Sequence, residues 1–273
     1  MGDEYHRYCM YFLLFYSWLH IFNQRGEWMM KLLLPREHGA WAMLIIPFLL
    51  GLSLNPTWMH LPLFLGWFLL YLALNPLMML IKKKGDSRFY TRWLLIYGIP
   101  ATILLLFVVF QYPALVWAGL VMIPLFIINV FFARKNRERN FWNDVVAIFE
   151  MAVGGVASAY VALGHWSMFQ VYVWIVSVLF FLGTVFFVKT MIREKKNVKF
   201  RYLSWGYHIL LVAGVGLATG QVWLILAYVP SMLRAIIVGG RNLTPLQVGL
   251  MEIGNTLLFT IFVLCDIYHI LSL

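Results

Sequence analysis

The chain has 273 residues, of which 63% are hydrophobic and 12% are charged, and its mean hydropathy is +0.82. Soluble domains are about one-quarter charged, so this composition excludes an ordinary soluble protein and indicates a membrane-embedded one. The net charge of +10 does not require a nucleic-acid partner, because the basic residues are confined to a few short segments, as is typical of membrane proteins.

The first residues differ from the rest of the chain. Residues 8–23 are apolar but short for a membrane span, and they lack the small-residue cleavage site of a secretory signal. Met29 and Met30 offer a second translation start. We therefore expect residues 1–28 to be a translated leader or an extra N-terminal apolar helix, and residues 29–273 to form a single transmembrane helical domain.

Nine apolar runs follow, each near the length that crosses the hydrocarbon core of a bilayer. They cover residues 40–54, 61–81, 93–110, 114–133, 144–163, 168–192, 203–219, 221–239 and 249–271. Several runs contain a proline, at Pro47, Pro76, Pro100, Pro124 and Pro230. Membrane helices tolerate proline when neighbouring groups satisfy the freed carbonyl. The pattern predicts an all-α fold, a polytopic transmembrane bundle of about nine helices.

Lysine and arginine are confined to alternate gaps between these runs. The basic gaps and their edges contain Lys82, Lys83, Lys84, Arg88, Arg92, Arg134, Lys135, Arg137, Arg139, Lys189, Arg193, Lys195, Lys196, Lys199, Arg201, Arg234 and Arg241. The intervening gaps, 53–62, 111–113, 164–167 and 219–221, contain no Lys or Arg. Because short basic loops remain in the cytoplasm, we expect a multi-pass protein of the cell (plasma) membrane. Its native N-terminus should be cytoplasmic and its C-terminus outside.

Small residues on the fifth and seventh runs predict close helix packing. On the fifth run the pairs are Gly154 with Ser158 and Gly155 with Ala159. On the seventh run the small residues are Gly214, Gly216 and Gly220. We expect a neighbouring helix to approach closely at both places.

Polar side chains within apolar spans are costly to bury and are therefore the best functional pointers in this sequence. They form four stripes at helical spacing: Asn75, Met79 and Lys83; Asn143, Ala147, Glu150 and Gly154; Lys189 and Arg193; and Arg201, Trp205 and His208. We expect these stripes to converge on one cytoplasm-facing cavity. The alternative for each stripe is a snorkelling cation or a helix cap. Asp266 should lie nearer the outer face, outside this group.

The run Leu34–Met43 reads Leu-Pro-Arg-Glu-His-Gly-Ala-Trp-Ala-Met and resembles the opening signature of the YwiC-like integral membrane family. Residues 143–148, which read Asn-Asp-Val-Val-Ala-Ile, and residues 181–194 fit the same family. The resemblance extends over residues 31–273. It agrees with a multi-pass membrane protein and by itself implies no reaction.

The layout is also similar to that of UbiA-type prenyltransferases, which have nine helices and polar cytoplasmic loops after helices two and six. That family carries Asn-x-x-x-Asp-x-x-x-Asp on helix two and Asp-x-x-x-Asp on helix six, and these carboxylates hold Mg²⁺ and a prenyl diphosphate. Here Asn75 matches the leading Asn, but the acidic positions read Met79, Lys83, Lys189 and Arg193. Mg²⁺-dependent prenyl transfer is therefore not expected, and the sequence predicts neither a metal site nor a cofactor.

Lys and Arg bind phosphate directly, so we predict a cationic cavity for an anionic lipid or a prenyl phosphate or diphosphate. Lys83, Lys189 and Arg193 would contact the phosphate. The other residues assigned to the cavity are Asn75, Asn143, Glu150 and His208. The residues assigned to its cytoplasmic mouth are Arg36, Glu37 and His38. Membrane lipids are the expected partners, and nucleic acid is not.

Two other functions fit the same features. A small permease would use the proline-kinked helices, with Glu150 or Glu252 as proton carriers and the cations selecting an anion. A non-catalytic accessory subunit of a membrane complex would need none of these groups for chemistry. A specifically bound lipid, pH-dependent uptake, or co-purification with a fixed partner would distinguish the three.

Overall fold

The computed structural model describes residue 33 and residues 38–272, and over these residues the chain forms nine α-helices and no β-strand. They are α1 (His38–Leu52), α2 (His60–Ile81), α3 (Ser87–Gln111), α4 (Leu115–Arg134), α5 (Phe141–Leu163), α6 (Met168–Ile192), α7 (Val198–Thr219), α8 (Val222–Val238) and α9 (Pro245–Leu271). The expected all-α helical bundle is confirmed. The expected leader lies outside the described residues.

Four helices begin three or more residues before the apolar run that predicted them, because a side-chain cap sets each start. The capping residues are Asp86, Asn140, Asn197 and Thr244, which precede α3, α5, α7 and α9. Each side chain accepts a hydrogen bond from a backbone N–H of the first turn, a group with no partner inside the helix. The first turns of α3, α5 and α7 are polar or basic, so hydropathy alone places these helix starts too late.

Seven of the described helices, α2 to α7 and α9, are long and apolar enough to cross a membrane. The other two, α1 and α8, are apolar but have only 15 and 17 residues. Much of the apolar surface points outward, and Leu217 on α7 is 91% exposed and Phe110 on α3 is 81% exposed. An apolar exterior of this kind requires lipid rather than water around it.

The centre of the bundle is formed by α5 and α6, which have the largest buried share of the spanning helices. The core residues there include Phe180 and Phe181 of α6 and Phe259 of α9. The Phe180 and Phe259 rings stack with their centroids 3.9 Å apart. By contrast, α3, α4 and α7 bury little of their surface. Side chains on α5 and α6 therefore lie deepest in the bundle.

Helix α1 packs closely against α5, as the small residues of α5 predict. A Cβ atom added to Gly51 would lie 2.5 Å from the carbonyl oxygen of Gly155, and one added to Gly155 would lie 2.6 Å from the carbonyl oxygen of Pro47. The Ser158 hydroxyl donates to the carbonyl oxygen of Phe48 at 2.8 Å. The two backbones approach closely only because these positions carry no bulky side chain.

The corresponding prediction for α7 is wrong at Gly214. A Cβ atom there would meet no atom within 4 Å, whereas Gly216 lies in ordinary contact with Ile225. Gly214 instead lines an apolar cavity of about 400 Å³ between α6, α7 and α8. Small residues permit close packing without requiring it, so α7 carries the motif but lacks the tight neighbour.

Side-chain contacts place the basic loops together at one end of the bundle. The ammonium of Lys84 donates to the side-chain oxygen of Asn136 at 2.7 Å, and Lys82 forms an ion pair with Glu138. These contacts join the α2–α3 loop to the α4–α5 loop. We name this the basic end; it comprises loops 82–86, 135–140, 193–197 and 239–244.

Loops without Lys or Arg meet at the opposite end. The side-chain amide of Asn55 donates to the carbonyl oxygen of Ala162 at 3.1 Å, joining the α1–α2 loop to the end of α5. The Tyr160 ring contacts both Tyr112 of the α3–α4 loop and Trp166 of the α5–α6 loop, and neither loop contains Lys or Arg. The alternation of basic and non-basic gaps in the sequence therefore corresponds to two separate ends of the helix bundle.

Candidate functional site

Two helix ends shape the basic end by the same backbone motif. After α2, the backbone N–H of Lys84 donates to the Met79 carbonyl oxygen, and the N–H of Lys83 donates to the Leu80 carbonyl oxygen. After α4, the N–H groups of Asn136 and Arg137 form the same pair of hydrogen bonds. This motif needs a left-handed residue, and Lys83 and Asn136 supply it with φ of 54° and 51°. Lys83 thus lies beyond the helix with an exposed side chain, and the stripe that groups it with Asn75 breaks at Ile81.

Lys189 lies at the basic end of α6, where it is buried and paired. Its ammonium lies 2.8 Å from a carboxylate oxygen of Asp144 and donates to the carbonyl oxygen of Arg139 at 2.9 Å. Arg193, one turn further on, donates to the same carbonyl at 3.4 Å, and its side chain is exposed. The two cations therefore hold the α4–α5 loop against α6, and the charge of Lys189 is already neutralised.

Asn143 belongs to this arrangement. Its side-chain amide donates to the carbonyl oxygen of Glu138 at 2.9 Å, so it closes the loop that Lys189 and Arg193 hold. The structure thus brings Asn143, Lys189 and Arg193 together on residues 138–144, and Lys83 lies in the loop that the ion pair of Lys82 and Glu138 joins to them.

The remaining predicted residues lie elsewhere. Glu150 is buried on α5 and accepts a hydrogen bond from Asn129 of α4. His208 is buried on α7, where its Nδ1 lies 2.7 Å from the Ser204 carbonyl oxygen. Asn75 is half-buried on α2. Arg36, Glu37 and the side chain of His38 fall outside the described residues. The contacts among the described residues therefore bring together only part of the four stripes.

A second polar group, of which the sequence-based site included only His208, lies within the bundle between α6, α7, α8 and α9. We name it the Arg234 cluster; its members are Thr184, His208, Ser231, Arg234, Glu252 and Asn255. Arg234 forms an ion pair with Glu252 through Nη1. Ser231 and Asn255, one turn away on the same two helices, hydrogen-bond to each other at 3.0 Å. Thr184 lies beside Glu252, and His208 is within electrostatic reach of Arg234.

Several atoms of this cluster are buried without a hydrogen-bond partner among the described residues. They are Arg234 Nε and Nη2 and His208 Nε2. Leaving polar atoms unpaired in an apolar interior costs free energy, and ionisable residues inside membrane spans mark functional sites by default. The cluster is therefore a candidate site in its own right.

The sequence contains a signal for the Arg234 cluster. Ser231 with Arg234, and Glu252 with Asn255, are polar pairs three residues apart on consecutive helices, so each pair lies on one face. Arg234 can equally be interpreted as one more basic residue at the edge of a cytoplasmic gap. That interpretation fails because Arg234 is only 7% exposed.

Asp266 lies outside both groups, as expected. It is fully buried on α9 and accepts a hydrogen bond from the Tyr172 hydroxyl at 2.7 Å. Tyr172 also lines the apolar cavity beside α7. Among the described residues, no group of three or more His, Cys, Asp or Glu side chains is placed to hold a metal ion.

Comparison with known proteins gives the family of the chain. The profile of the YwiC-like protein family matches residues 34–159. The uncharacterized protein YwiC of Bacillus subtilis (strain 168) is 44% identical over 231 residues, which cover 84% of this chain and 96% of that protein. An uncharacterized protein of Haemophilus influenzae (strain Rd) is 38% identical over 242 residues, which cover 86% of this chain and 98% of that protein.

No solved structure matches the chain, so the similarity of layout to UbiA-type prenyltransferases stays a prediction. The relatives match over nearly their whole length, and the profile includes α1, the tightly packed face of α5 and the loop that Lys189 and Arg193 hold. The chain therefore belongs to the YwiC-like family.

Proposed function

We propose that the protein binds an anionic amphiphile, an anionic lipid or a prenyl phosphate or diphosphate, through the phosphate group at the basic end of the bundle. In this proposal the basic end faces the cytoplasm of the cell membrane. The observation that supports it best is the junction at residues 136–140, where three basic loops are held side by side.

The acidic side chains at the basic end are already engaged. Asp86 caps α3, Glu138 pairs with Lys82, and Asp144 pairs with Lys189. Glu194 accepts a hydrogen bond from the side chain of Asn197. The exposed guanidinium groups of Arg139 and Arg193 therefore keep most of their donors for a ligand. Guanidinium groups bind phosphate oxygens in pairs, and each cation near an anionic membrane surface contributes about 1 kcal/mol.

The structure changes the role that the sequence assigns to Lys189. As a buried partner of Asp144 it positions the loop rather than contacting a phosphate. Arg193 and Arg139 are the exposed cations closest to that anchor, and Lys83 lies in the adjoining loop. No step in this proposal uses Mg²⁺.

The proposal is tested by native mass spectrometry of the full chain released from nanodiscs of phosphatidylglycerol and phosphatidylcholine. We expect discrete phosphatidylglycerol adducts on the parent protein. The double variant Arg139→Gln/Arg193→Gln should bind the lipid at least about 30-fold more weakly, because it loses charge-assisted hydrogen bonds to the phosphate, which contribute about 1.5–3 kcal/mol each.

The matched control is Lys195→Gln/Lys196→Gln, which removes the same charge from exposed positions of the α6–α7 loop. It should retain the adducts. If both double variants lose lipid equally, the basic end attracts anionic lipid without a specific site. If neither loses lipid, the proposal is wrong.

A small permease is the second candidate function, and the Arg234 cluster is the observation that favours it. Arg234 and Glu252 form a buried ion pair between two helices, one of which contains Pro230. Ionisable residues inside membrane spans mark ion and substrate pathways, and helices interrupted by proline form binding sites in transporters. Uptake of an anion into proteoliposomes that depends on Arg234 and not on Arg193 would support this alternative.

A further inference from the structure

Arg234 is held in one orientation by two contacts. The guanidinium carbon lies 4.0 Å from the centroid of the Phe187 ring, and Nη1 pairs with Glu252. The aromatic face stabilises the cation from one side. The remaining donors of the guanidinium then point sideways, within its plane.

Those remaining donors form one edge. Nε and Nη2 are buried and have no hydrogen-bond partner within the described part of the chain, while Arg234 as a whole is 7% exposed. The N–H groups of this edge are parallel, and two parallel N–H groups match the two oxygens of a carboxylate. An unpaired guanidinium edge is unfavourable in a membrane interior, so a ligand there would be stabilised.

The surroundings define what could bind. His208 adds an imidazole nitrogen, Nε2, that is buried and has no hydrogen-bond partner among the described residues. The Thr184 hydroxyl lies beside Glu252, and neither side chain carries a negative charge that would repel an anion. A Cβ atom built on Gly183 would lie 3.0 Å from His208 Nε2, so this nitrogen faces α6, beside Thr184. The ion pair with Glu252 shows that the Arg234 guanidinium binds a carboxylate in this environment.

The cluster lies at a modest depth. Glu252 is two turns into α9 from the basic end, and Thr184 is two turns from the end of α6, which corresponds to roughly 10 Å. A small apolar group, Phe187, Met191, Ala235 and Val248, packs in the same part of the bundle. The shortest route for a ligand therefore leads from the basic end.

We propose that the Arg234 cluster is a binding site for a small carboxylate anion, which occupies the Nε–Nη2 edge of Arg234 between α6, α7, α8 and α9. Thr184 and His208 lie beside the bound anion. This site is separate from the proposed lipid site at the basic end, and neither depends on the other. Glu252 pairs with the other side of the guanidinium through Nη1, and its negative charge repels an anion at the Nε–Nη2 edge. Neutralising Glu252 therefore tightens binding.

The test is titration of the full chain in nanodiscs with sodium lactate at constant ionic strength, followed by saturation-transfer NMR. Chloride, which has no pair of oxygens, replaces lactate as the reference anion. We expect Glu252→Gln to bind lactate at least about tenfold more tightly than the parent. Arg234→Lys should lose binding, because an ammonium lacks the paired edge.

Two further variants keep the result interpretable. Arg234→Gln/Glu252→Gln removes both charges and leaves no charge unpaired, so it should fold and bind no lactate. Arg241→Gln removes an exposed cation of the basic end and should bind like the parent. The proposal is overturned if Glu252→Gln binds lactate no better than Arg234→Gln/Glu252→Gln does. It is also overturned if Arg241→Gln loses as much lactate binding as Arg234→Lys. Lipid adducts measured on the same variants report the basic-end site independently.

Discussion

At the scale of the residue, the same chemical type serves two different purposes according to its partner. Lys189 and Arg234 are both buried cations near the basic end, and each has an acidic partner on another helix. Lys189 also has a carbonyl ligand, whereas Arg234 retains unpaired donors. The sequence identified both as basic residues in or beside cytoplasmic gaps, but their partners on other helices depend on packing that the sequence pattern does not contain.

The anchoring role of Lys189 predicts the behaviour of charge variants. Lys189→Ala leaves Asp144 partly buried without its cation, and we expect a loss of about 3 kcal/mol or more in the free energy of unfolding. Asp144→Asn combined with Lys189→Gln removes both charges and should recover most of that loss. Unfolding in mixed micelles measures both. Equal loss in the two variants would show that the pair is not an anchor.

At the scale of the element, the helices were largely predictable and their neighbours were not. All nine apolar runs became helices within the described residues, because length and hydropathy suffice to identify a span. The starts of α3, α5, α7 and α9 were misplaced, since caps rather than hydropathy set them. Small residues on α5 and α7 read alike in the sequence, yet only those of α5 meet a close neighbour.

That difference gives a matched pair of substitutions. Gly155→Leu forces a side chain against the backbone of α1 and should lower the free energy of unfolding by about 3 kcal/mol or more. Gly214→Leu places the same side chain where no atom lies within 4 Å. It should leave stability unchanged or slightly improved, because glycine weakens a helix. Unfolding curves for both variants in one detergent give the two free energies of unfolding. Similar losses of free energy in both variants would contradict the assignment of the α1–α5 contact.

At the scale of the whole molecule, the charge pattern was the most informative part of the sequence. The alternation of basic and non-basic gaps corresponds to two physical ends of the bundle. It could not reveal how the helices are arranged around α5 and α6. A single converging cavity was expected, whereas the structure has a loop junction at the basic end and a separate Arg234 cluster.

The orientation of these ends is testable with single cysteines in a chain whose Cys9 and Cys265 are replaced by alanine. Gln111→Cys lies at the opposite end and Lys195→Cys at the basic end, and both positions are exposed. If the basic end is cytoplasmic, a membrane-impermeant maleimide labels Gln111→Cys in intact cells and Lys195→Cys only after permeabilisation. The reverse labelling pattern would invert the proposed topology.

The tight contact between α1 and α5 also has a consequence for how the protein is made. Three helices separate the two partners, and the intervening chain of roughly 90 residues takes about 5–20 s to synthesise at ordinary rates. During that interval the Gly51 face of α1 has no α5 to pack against. The nascent chain must therefore shelter this face in lipid or in the insertion machinery until α5 emerges, and the core of the bundle closes late in synthesis.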